Sequence, residues 1–279
     1  MYVGNGGGDF TMSGGTISGN DTLTGDGGGV YFSSSSGDFT MNGSAAISGN
    51  HTTSGGINGG GVYFSSSSGD FTMNGNAAIS GNTATYSGGG VYFSSSGLGS
   101  FMSGSAAISG NHATGFGSSG GGVNIASGSF TMSGGTISGN DADPGIGYGG
   151  GVNIDGDSFA MSGGTISGNA AGNGGGVSAY GGAFTMSGGT ISGNTVGSYG
   201  GGVFVSGGSG SFNKSGGGII YGDTDAAHTP NSTENTVTGA SSGNGHAVFY
   251  TNGNHYRDNT LTALDDITTS SLISLPWDD

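Results

Sequence analysis

The chain has 279 residues, of which 71 are Gly, 17 are Asp or Glu, only 2 are Lys or Arg and none is Cys, for a net charge of −15. Such a charge balance excludes a phosphate-backbone partner, which needs Lys and Arg to displace counterions, so no nucleic acid is expected. The lack of Cys excludes disulfides, thiolate metal sites and a Cys nucleophile, and no apolar run approaches the roughly 20 residues of a membrane span. A composition this rich in Gly and this acidic reads as disorder unless the glycines are periodic.

They are periodic. The segment Phe10-Thr-Met-Ser-Gly-Gly-Thr-Ile-Ser-Gly-Asn20 recurs, its Phe returning at Phe39, Phe71, Phe101, Phe130, Phe159, Phe184 and Phe212, at intervals of 25 to 32 residues. A Gly-Gly-Gly-Val block places Val30, Val62, Val91, Val123, Val152, Val177 and Val203 at matching intervals. Repetition at this period is the signature of a solenoid, each repeat burying its apolar face only against its neighbours.

In chain order, each unit holds three short alternating stretches and no helical pattern. In Val30-Tyr31-Phe32 the Val and Phe point inward and the Tyr outward, because strand side chains alternate. In Phe39-Thr40-Met41 the Phe and Met point inward, and in the third stretch Ile17, Ile47, Ile79, Ile108, Ile137, Ile166 and Ile191 do so, flanked by Thr or Ala and by Ser. This predicts an all-β fold, a single-stranded right-handed parallel β-helix of about nine rungs with three short strands per rung. At about 4.8 Å per rung the rod is on the order of 43 Å long. Asn20, Asn50, Asn82, Asn111, Asn140, Asn169 and Asn194 close the third stretch in each rung and predict an internal amide ladder.

Residues 1–219 form the regular repeats, 220–244 an irregular polar excursion, and 245–279 a last rung at Gly245-His-Ala-Val248 and a C-terminal cap with Pro276 and Trp277. Met1-Tyr2-Val3 aligns with Val30-Tyr31-Phe32, so the chain is expected to start within a strand, and its N-terminus does not read as a basic segment followed by an apolar one. Since solenoids protect open rungs, the expectation is either more chain ahead of Met1 or end-to-end self-association of copies through this N-terminal rung into filaments.

The Gly-Gly-Gly-Val and Ile-Ser-Gly-Asn blocks resemble the repeats of polymorphic outer-membrane-protein-type passenger domains. The chain is still more similar to glycine-rich right-handed β-helix surface proteins of spirochaetes and gut bacteria. There a Gly-His-Ala-Val rung, a Tyr-Arg-Asp-Asn-Thr-like segment and a terminal Trp plus acid make a similar ending, here at Gly245–Val248, Tyr256–Thr260 and Trp277–Asp279. The resemblance implies a secreted or cell-surface bacterial protein. It specifies architecture better than activity, since unrelated functions share such folds.

Several constellations are candidates for function. The outward column Tyr2, Tyr31, Tyr63 and Tyr92, continuing as Asn124, Asn153 and Ser178, offers aromatic rings to a surface glycan or protein, or stacks upon itself. Asp9, Asp38 and Asp70 precede the Phe on consecutive rungs, and a bound Ca²⁺ would relieve their mutual repulsion. Thr136, Thr165 and Thr190 with Ser138, Ser167 and Ser192 form a hydroxyl array of the kind an ice-binding solenoid uses, interrupted by Ala46, Ala78 and Ala107 in earlier rungs. Asp155 with Asp157, and Asp141 with Asp143, are the carboxylate pairs a pectate-lyase-like, polysaccharide-active site would draw on. With no Lys or Arg before Lys214, and Lys214 and Arg257 placed outside the regular rungs, no base accompanies them, and no enzyme is expected. The five His (His51, His112, His228, His246, His255) share no spacing and read as surface residues. Loops at Asp21–Asp26, His51–Asn58, Thr83–Ser87, His112–Ser119 and Asp141–Tyr148 vary in sequence while the rungs do not. The expectation is therefore an adhesin-like or structural rod, non-catalytic and extracellular, that presents variable loops.

Overall fold

Alternation of apolar and polar residues over three to five positions is too short for a helix and suits a half-buried strand. A computed structural model describes residues 1–4, 6–94, 99–206, 209–221, 235–237, 247–251, 254–256 and 267–268. These are strands and turns alone, and one rung runs Val30–Ser34, Phe39–Met41, Ala46–Ser48 and His51–Thr52. Each strand pairs in parallel with its equivalent one repeat later, Val30 with Val62, Phe39 with Phe71 and Ile47 with Ile79. Stacking builds a β-solenoid of three sheets with ten, fifteen and eight strands. The first sheet holds the Val-x-Phe strands, nine of them parallel and the last, Asn254–Tyr256, antiparallel.

The second sheet carries both the Phe-Thr-Met and the Thr-Ile-Ser strands. Two rungs fuse them into single ten-residue strands, Ser158–Ser167 and Ala183–Ser192. The third sheet adds a fourth strand per rung at the start of each expected loop, as in His51–Thr52 and Asp141–Ala142. Its signal was weak because a two-residue strand offers no alternation to read. Its inward side chains, Ala113, Ala142 and Ala171, make a small core of their own.

Inside, the predicted columns of Val, Phe, Met and Ile form one continuous core. The Phe column departs from expectation at Phe101. Met102 aligns with Met73 and Met132, which puts Ser100 opposite Phe130 and turns Phe101 outward, 38% exposed. Register in a strand has period two, so the Met column overrides the Phe one residue away. The vacated volume is filled by Phe93, whose ring turns to lie 5.3 Å from Phe71 and 5.6 Å from Phe130. Lys214 also corrects the sequence reading: it stands in register with Met186 at an inward position, 1% exposed, rather than outside the rungs.

The asparagine ladder is present and longer than expected. Each amide nitrogen donates to the next rung's Oδ1, from Asn20 to Asn50 at 2.7 Å through Asn111 to Asn140 at 3.0 Å. It ends on Asn235, which accepts from Asn194 at 2.8 Å and lies in the stretch read as an irregular excursion. The third Gly of each triplet packs against this ladder. A Cβ on Gly61 would stand 3.0 Å from both the Asn82 amide nitrogen and an Ile79 methyl, so only Gly fits. Val248–Tyr250 forms a further rung, parallel to Val203–Val205. Apart from Ile267–Thr268, which pairs antiparallel with Asn213–Lys214, the proposed cap lies outside the described residues.

Candidate functional site: the outer face of the first sheet

The outward position of the first sheet changes character along the rod while the inward positions stay apolar. In register it reads Tyr2, Tyr31, Tyr63, Tyr92, Asn124, Asn153, Ser178, Phe204 and Phe249. The four Tyr rings stack on one another with centroids 5.1–5.4 Å apart and planes within 9° of parallel. Their faces are thus taken up by each other, and the stack turns ring edges and hydroxyls outward. Tyr2 is 65% exposed, whereas Tyr31, Tyr63 and Tyr92 are half-buried. Burial pushes the Tyr63 phenol up, opposed by a hydrogen bond to Ser94. Burial, reinforced by Tyr63, Asp155 and other acidic groups, pushes the Tyr92 phenol up to about 12.

Beyond Tyr92 the column turns polar, and here burial exceeds expectation. Asn124, Asn153 and Ser178 point away from the core yet are 1%, 0% and 0% exposed. The reason is the glycine triplet, whose first residue curls over the outward side chain that follows. A Cβ on Gly174 (φ 64°) would lie 2.9 Å from the Cβ of Ser178. The Asn153 amide donates to Asn124 Oδ1 at 2.9 Å, but Asn124 Nδ2, Asn153 Oδ1 and Ser178 Oγ have no hydrogen-bond partner among the described residues. An aromatic group borders this strip. Tyr148, which precedes Gly149, leans up the rod so that its ring lies 5.1 Å from Tyr180 and 6.1 Å from Phe204, with Tyr199 and Phe249 beyond at 4.5 Å from each other. Tyr148 and Tyr180 were not singled out from sequence. The available signal was the position before each triplet, occupied by Asp26, Asn58, Ser87, Ser119, Tyr148, Asn173 and Tyr199.

The remaining candidates fall elsewhere. In the Asp column, Asp9 accepts the backbone N–H of Asp38 at 3.0 Å and Asp38 that of Asp70 at 2.9 Å. These carboxylates span neighbouring rungs as acceptors, and among the described residues no group of three or more His, Cys, Asp or Glu is placed to hold a metal ion. Of the carboxylate pairs, Asp157 accepts from Gly128 N–H at 2.6 Å and Asp143 from Gly145 N–H at 3.1 Å, so both serve turns. His51 and His112 share one column of the third sheet, in register with Asp21, Thr83 and Asp141. His112 approaches Asp141 at 4.0 Å, while burial pushes the Asp141 carboxyl up and His112 draws it back. His228, His246 and Arg257 lie outside the described residues. Thr136, Thr165 and Thr190 align with one another, as do Ser138, Ser167 and Ser192, but only three consecutive rungs among the described residues carry both columns without interruption, a patch of about 10 Å along the rod.

No helix among the described residues is long and apolar enough to cross a membrane. No family model matches the chain. Neither the curated proteins nor the solved structures supply a match.

Proposed function

We propose that the chain is a non-catalytic binding rod of an extracellular or cell-surface protein, adhesin-like, whose partner is a surface glycan or protein. The observation that carries this reading is the division of labour within each rung. Inward columns repeat Val, Phe, Met and Ile with little change, whereas the outward column of the first sheet passes from Tyr to Asn and Ser to Phe. Scaffold positions that repeat beside presented positions that vary are what a recognition surface on a repeat protein requires. Of the acids that a polysaccharide-cleaving centre would draw on, Asp157 and Asp143 accept backbone N–H groups instead, which favours binding over cleavage.

The test is saturable binding of the full chain to glycan and matrix-protein arrays and to intact cells. Saturable binding to at least one surface is expected, and none across all of them overturns the reading. A Tyr31→Ser, Tyr63→Ser double variant then locates the contact. Loss of binding assigns it to the exposed edges of the Tyr stack, and retention assigns those two rings to cross-rung support alone.

A further inference from the structure

A buried polar atom takes a partner, and an atom left without one costs stability that selection removes unless it is used. The outer face holds three such atoms in adjacent rungs: a donor on Asn124, an acceptor on Asn153 and a hydroxyl on Ser178 that serves as either. They lie between two aromatic surfaces. Below, the Tyr stack ends at Tyr92, since the next rung carries Asn124, so one face of that ring has no stacking partner in its column. Above, the Tyr148 ring leans over the rungs of Asn153 and Ser178 toward Phe204 and Tyr180.

We propose that this strip is a subsite for one neutral sugar ring, with the Asn124 and Asn153 amides and the Ser178 hydroxyl pairing with sugar hydroxyls, and with Tyr148 as its movable aromatic wall. Mixed donors and acceptors beside ring faces match a molecule that carries hydroxyls on its rim and C–H groups on its faces. An anionic ligand is disfavoured by a net charge of −15 and by Asp155, close enough to affect Tyr92. A peptide added as a strand has no edge to join. The strand Val123–Ser127 already pairs with Val91–Ser94 on one side and Val152–Ile154 on the other. Access requires that the half-buried Tyr148 ring rotate about its side-chain torsions and that the glycine turns beside the strip yield with it, glycine being the residue that most readily changes backbone conformation.

The inference rests on the binding-rod reading, and the experiment separates the two. The full chain is titrated calorimetrically with neutral cello-, xylo-, manno- and chito-oligosaccharides and with oligogalacturonate as the anionic control. Wild type is expected to bind a neutral oligosaccharide and not the anionic one. Ser178→Ala, which removes one unpaired atom without adding volume, and Asn124→Val with Asn153→Val, which removes the other two, are each expected to weaken binding about tenfold or more. Both are also expected to melt at or above the wild-type temperature, so loss of binding is not loss of fold. Should the paired Val variant misfold, Ser178→Ala alone decides. Unchanged affinity in a folded variant overturns the subsite while leaving the rod reading intact, as does preference for the anionic control. Absence of neutral-sugar binding by wild type, with array binding to protein retained, overturns the subsite in the same way.

Discussion

Asparagine forms two columns in this molecule, and they obey different rules. At the corner, Asn111 donates to Ile79 O and Asn140 Oδ1 and accepts both the backbone and amide N–H of Asn82, all at 2.9–3.0 Å. On the outer face, Asn124 and Asn153 share one bond and leave a donor and an acceptor unpaired. Both columns are almost wholly buried, and both repeat at the rung spacing. A buried amide stabilises only when all its groups are met, so the same residue supports the fold in one column and weakens it in the other.

Substitution should separate the columns by sign. Asn111→Ala orphans the backbone N–H of Asn82 and the carbonyl of Ile79 and is expected to destabilise by about 3 kcal/mol or more, read as a shifted denaturant midpoint. Asn124→Val together with Asn153→Val in the outer column, which removes both hydrogen-bonded partners at once, is expected to do the reverse, raising stability by about 1 kcal/mol. A loss as large as that of Asn111→Ala would mean that the outer pair is a second ladder. A smaller effect tests the burial that adjoins it. The Tyr92 phenol, raised from 10.0 to about 12, favours the folded state while protonated. Its contribution is complete below pH 10 and lost as pH rises through about 12. Tyr92→Phe should therefore flatten the alkaline fall in melting temperature over that window, and an unaltered profile would show the ring to be more solvated than its position implies.

The smallest effect concerns Asp141, whose Oδ1 is buried without a partner and whose carboxyl is raised above its ordinary 3.8 chiefly by burial. A raised carboxyl favours folding while protonated, so its contribution is lost as pH rises through its folded value. Asp141→Asn is accordingly expected to stabilise slightly at neutral pH, and the gain should fade in acid. If the variant is less stable at neutral pH, the attraction between Asp141 and His112 outweighs desolvation.

What could be read in advance follows from periodicity. Inward columns at Val, Phe, Met and Ile, the corner amides and the rung at Val248 were legible because each is set by strand alternation and a fixed offset. Phe101 was not, because two inward signals one residue apart cannot both be obeyed, and only packing shows that Met102 prevails. Nor was Lys214, since a cation at an inward position contradicts composition rules, although its register with Met186 follows from Phe212 alone. The outer strip was visible as Asn124, Asn153 and Ser178 in sequence. Its burial was not, because that depends on how the glycine triplet curls back over the following strand, a backbone property that no residue type announces.

The corner ladder also gives the rod a direction. From Asn50 to Asn194 each amide oxygen accepts from the preceding Asn and one amide N–H donates to the following Asn, without a reversal, while the other N–H is tied to an Ile carbonyl of the preceding rung. The bond dipoles therefore add head to tail, as peptide dipoles do along a helix, and each link polarises the next. A stack of uncharged side chains becomes a polar axis, positive toward the later rungs, inside a chain whose net charge is −15.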